Sequence, residues 1–93
     1  MNTIEKLTLI EGDFSFDEAK EILNSIFSSK INFHNMKNWS SQERFGEDDA
    51  IAQKRIPALR NEMKKLYAIL SEAKAKNKNL LVSSEINISL LED

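Results

Sequence analysis

Ninety-three residues carrying a formal net charge of −2 make one domain, residues 1–93, since domains commonly run to roughly 100–200 residues. Two glycines, one proline and no cysteine exclude collagen-like, glycine-rich and disulfide-stapled scaffolds, and they remove every thiolate ligand and thiol nucleophile. No stretch approaches the roughly 18 consecutive apolar residues of a membrane helix, and Glu5, Lys6 and Glu11 interrupt the first dozen residues, so neither a membrane span nor a secretory signal is expected and the chain reads as cytoplasmic.

In chain order, Thr3 to Glu11 alternate loosely, with Leu7 and Leu9 on one face and Thr8 and Ile10 on the other, which predicts a first strand. Ser15-Phe16-Asp17-Glu18 is a capping box, so a helix should start at Phe16, with acids in its first turns where the helix dipole favours them. Phe16, Ala19, Ile22, Leu23, Ile26 and Phe27 form an apolar stripe. The stripe reaches Ile31 and then meets His34, Asn35 and Asn38. Phe33, Met36 and Trp39 open a stripe at a new angle, so a bend at residues 29–32 and a short second helix are expected. Ser40-Ser41-Gln42-Glu43 matches a second capping box, closed by Gly46.

Asp48 is the expected cap of the next helix. Ala52, Ile56, Leu59, Met63, Leu66, Leu70 and Ala73 recur at alternating gaps of four and three, a heptad seam widened by Tyr67 and Ile69. This helix should run from Asp49 to Lys76, kinked at Pro57 or else beginning there after a shorter one. Asn77-Lys78-Asn79 reads as its stop, because asparagine tolerates the left-handed conformation that ends helices. From Leu80 to Leu91, Val82, Ser84, Ile86, Ile88 and Leu90 share one face of a second strand.

The elements predict an α+β fold in β-α-α-β order, a long C-terminal-half helix packed in a helical hairpin over a small antiparallel sheet. Two strands make a marginal sheet with both edges open, and the first helix is too short to cover the long seam, so dimerisation should complete the fold.

Charge is unevenly spread, at −5 over residues 1–51, +6 over 52–78 and −3 over 79–93. Lys54, Arg55, Arg60, Lys64 and Lys65 could therefore track a phosphate backbone, which makes a nucleic-acid-binding protein using helix 54–65 the alternative reading. Against it stand the low pI of 5.4 and the lack of interleaved aromatics. His34 has no second histidine and no triad or zinc spacing, and Glu47-Asp48-Asp49 lacks the regular oxygen ligands and glycine of a calcium loop, so no metal, cofactor or catalytic site is expected. Phe33, His34, Met36, Trp39, Arg44 and Phe45 gather residue types enriched at interface centres within thirteen positions. They are either a partner-binding surface or a plug for the open end of the hairpin. The expectation is a non-enzymatic protein–protein interaction module acting as a homodimer, with a further protein partner possible at this segment.

Overall fold

The computed structural model describes residues 4–91. It contains β1 (Ile4–Phe14), α1 (Phe16–Phe45), α2 (Ala50–Ala75) and β2 (Leu80–Ser89), in the expected β-α-α-β order. Thr3, the expected start of the first strand, lies outside the described residues. The strand itself runs three residues beyond Glu11, and β2 stops two residues short of Leu91.

The helix signals act as their chemistry demands. Ser15 caps α1: its backbone N–H donates to Glu18 Oε1 at 2.9 Å, and its Oγ accepts from the Glu18 N–H at 3.2 Å. The Ser15 N–H bond to its carboxylate, and then hydrogen bonding from the Ser15 side chain, hold the exposed Glu18 carboxyl below the usual carboxylate range. Gly46 ends α1 at φ 69°, a left-handed conformation that glycine adopts without a side-chain clash. Asn77, at φ 53°, follows α2 in the same region.

Four expectations are corrected. There is no bend at residues 29–32 and no separate short helix, for α1 is continuous over 30 residues, with Ser40 and Ser41 inside it rather than capping a new one; it is longer than the 26-residue α2, so the first helix is not too short to cover the seam. The first stripe continues past Ile31 along the same face and turns polar. Ile31 and His34 are buried and Asn38 is half-buried, and Asn38 spends its amide across the hairpin. Its Oδ1 accepts from the Asp49 N–H at 2.8 Å and from Gln53 Nε2 at 3.3 Å. The cap of α2 is Asp49, whose Oδ2 accepts from the Ala52 N–H at 2.9 Å, and not Asp48. Asp48 Oδ1 instead accepts from Gln42 Nε2 at 2.7 Å and Asn38 Nδ2 at 3.3 Å, closing the turn back onto α1.

The heptad seam of α2 faces α1 throughout: Ala52, Leu59, Leu66 and Leu70 are buried, and Ile56, Met63 and Ala73 partly so. Pro57 lies inside α2, on its exposed side. Near the far end of the hairpin, Tyr67 Oη donates to Asn24 Oδ1 at 2.6 Å. With the Asn38–Gln53 bond, this fixes the antiparallel register of the two helices.

β1 and β2 pair antiparallel, from Phe14 opposite Leu80 to Ile4 opposite Ser89, with a bulge between Thr8 and Ile10 that leaves Leu9 without a partner. Residues directly opposite share a face, so Phe14, Gly12 and Ile10 lie beside Leu80, Val82 and Ser84. On this face these residues are buried or half-buried, while Glu11, Asp13, Leu81 and Ser83 on the other face are exposed. Phe14 and Leu80 pack, with Phe16, Leu23 and Phe27, against a core of Ala19, Leu66 and Leu70, where all four elements meet. Beyond the bulge the same face carries Leu7, Ile86 and Ile88, all exposed.

The molecule is therefore spread out. It measures 50 × 36 × 15 Å, with a radius of gyration of 16.8 Å; a compact chain of this length would have about 12 Å. Its accessible surface is 7532 Å², against about 5,500 Å² for a folded monomer of this mass.

Candidate functional site

The continuity of α1 sets the geometry of the segment 33–45. An unbroken helix turns about 100° per residue, so the segment cannot present all its large side chains on one face. The structure divides them. Phe33, Met36, Arg44 and Phe45 line one open groove, together with Lys37 and Ser40. Trp39 is on the outer surface, but about 60° around the helix from Met36 and about 120° from Phe33. Phe33 is 51% exposed, Met36 67%, Trp39 61% and Phe45 71%. These four are surface and not a plug.

His34 is not on that surface. It turns toward α2 and is buried, with both ring nitrogens lacking a hydrogen-bond partner among the described residues. Its ring meets Phe33 edge-on, with centroids 5.3 Å apart and planes at 73°. The exposed side of the Phe33 ring is flanked by cations: Lys30 Nζ lies 5.2 Å and Lys37 Nζ 5.7 Å from its centroid. The groove thus combines the apolar Phe33, Met36 and Phe45 with the cations Lys37 and Arg44, and Asp49 lies beside them.

Residues upstream extend this surface. Ile22 and Ile26 belong by spacing to the inner stripe, yet Ile22 is only half-buried and Ile26 is exposed. Ile26, Phe27 and Phe33 line a second apolar groove, beside Leu59. With the serines between them, Ile22, Ile26, Ser29, Phe33, Met36 and Ser40 recur at gaps of four, three, four, three and four. That is a second heptad seam on the outside of α1. Its signal was present in the sequence but obscured, because serines hold two of the six positions.

The residues of the nucleic-acid alternative are all exposed, but the helix does not bring them into line. Arg55 and Arg60 point about 140° apart at the helical turn angle, and Lys65 Nζ lies 3.3 Å from Glu62 Oε1. The acidic run of residues 47–49 is occupied locally, Asp49 by the α2 cap and Asp48 by two side-chain amides. Among the described residues, no three His, Cys, Asp or Glu side chains converge as metal ligands would, and no helix is long and apolar enough to cross a membrane. No family model matches the chain, and no curated protein or solved structure matches it.

Proposed function

We propose that this chain is a non-enzymatic protein–protein interaction module that works as a homodimer and offers the outer face of α1 around Phe33, Met36, Trp39, Arg44 and Phe45 as its contact surface. The observation that carries this reading is the surface left uncovered. The accessible area of 7532 Å² exceeds that expected of a compact monomer by about 2,000 Å². A standard protein–protein interface buries about 800 Å² on each partner. The excess therefore accommodates one full interface with area to spare.

The non-enzymatic part of the reading draws support from the same geometry. The only imidazole, that of His34, is turned into the helix interface, away from any substrate at the surface. Trp39 and Phe45, by contrast, are rigid aromatics held on a regular helix, a cheap arrangement in conformational entropy for a binding surface.

Light scattering coupled to gel filtration tests the assembly: a mass of twice 10.7 kDa at micromolar concentration is expected, and 10.7 kDa across the concentration range overturns the homodimer. Trp39→Ala tests the placement of the surface. An exposed aromatic should cost less than about 1 kcal/mol of unfolding stability. A loss of about 3–5 kcal/mol, as on truncating a buried aromatic, would return the segment to the core.

A further inference from the structure

The homodimer proposed above leaves open which surfaces meet. Two carry exposed apolar side chains: the outer seam of α1, and the far half of the sheet with Leu7, Ile86 and Ile88. The seam is the more extensive of the two, with six positions on one helix. Its six positions pair about a common midpoint, residue 31: Ile22 with Ser40, Ile26 with Met36, and Ser29 with Phe33. A two-fold axis crossing α1 at that level would lay the seam on itself in the opposite direction, and each layer would then join one member of every pair.

The side chains suit that arrangement. In antiparallel pairing, the large Phe33 ring of one copy meets the small Ser29 of the other, and Ile22 meets Ser40. In parallel pairing, Phe33 would meet its own copy and Ser29 would meet Ser29, giving crowding at one layer and a void at the next; both are unfavourable in a packed interface.

We infer that a second copy of this chain covers the outer seam of α1, antiparallel about a two-fold axis level with Ile31. This rests on the homodimeric reading and names its interface. The chain as a whole carries about 2,000 Å² of excess surface, more than the roughly 800 Å² a standard interface requires on one side.

The chain contains no cysteine, so engineered disulfides report the geometry without background. Positions 22 and 40 lie about 27 Å apart along α1, far beyond the reach of a disulfide within one chain. Antiparallel pairing predicts that Ile22→Cys/Ser40→Cys oxidises to a covalent dimer, while Ile22→Cys alone and Ser40→Cys alone do not. Dimers from the single variants would show parallel pairing and overturn the inference. No cross-link in any of the three, with unsubstituted protein still dimeric by light scattering, would place the interface elsewhere and also overturn it. A monomeric unsubstituted protein would instead sink the homodimer itself.

Ile22 and Ser40 are partly buried, so an exposed position guards against a folding artefact. Met36→Glu should leave the circular dichroism spectrum of the monomer unchanged and weaken dimerisation at least tenfold. An unchanged dimer affinity would refute the seam.

Discussion

Pro57 lies seven residues past the start of α2, two turns into the helix, so it is beyond the first-turn positions where proline is tolerated. Its ring removes the N–H that would donate to the Gln53 carbonyl and crowds the preceding turn, at a cost of about 3 kcal/mol relative to alanine. Part of this is recovered because proline stiffens the unfolded chain, an effect of about 0.4–1 kcal/mol. Pro57 is exposed, and alanine there removes nothing from the seam formed by Ile56 and Leu59. Pro57→Ala should therefore stabilise the protein by about 2 kcal/mol. With an unfolding entropy of roughly 0.2 kcal/mol/K for a chain of this length, the melting temperature should rise by about 10 °C. Thermal unfolding followed by circular dichroism measures this directly, at matched protomer concentration because the melting temperature of a dimer depends on it. An unchanged or lower melting temperature would refute the reasoning, since it would mean that α2 gains no hydrogen bond at this position.

Two neighbours on α2 should behave in opposite ways. Leu70 is 2% exposed in the core beside Ala19 and Leu66, so Leu70→Ala should cost about 2–5 kcal/mol. Ile69 is 55% exposed, and Ile69→Ala should stay within about 0.5 kcal/mol in urea titrations; similar losses for both would show that the hairpin is rotated from the arrangement described. His34 buries two ring nitrogens with no partner among the described residues, an arrangement that costs about 1–3 kcal/mol. His34→Leu should therefore raise the urea midpoint, and a lowered midpoint would show that the imidazole has a partner in solution.

How much of this was legible in the residues depended on how far away the deciding partner lies. The capping box at Ser15, the stop at Gly46, the stop at Asn77 and the seam from Ala52 to Ala73 could all be read directly, because each rests on groups within four residues along one helix. The alternation in β2 could be read for the same reason. Element order and the α+β class followed from these.

The continuity of α1 could not be read this way. His34 and Asn38 look like a break in an apolar stripe, and only the hairpin shows that the position of Asn38 is set by the Asp49 N–H eleven residues away. The choice of Asp49 over Asp48 as the α2 cap has the same origin, for Asp48 is held by two amides of α1. The bulge at Leu9 exists only in the pairing of two strands separated by both helices.

The candidate surface divides along the same line. The composition of Phe33 to Phe45 marked it as an interface, but composition cannot say which side of a helix meets its neighbour. The register of α1 against α2 decided that, sending His34 inward and leaving Phe33, Met36, Trp39 and Phe45 outside. A helix of 30 residues has two long apolar seams in this chain, and burial of one against α2 is what makes the other available.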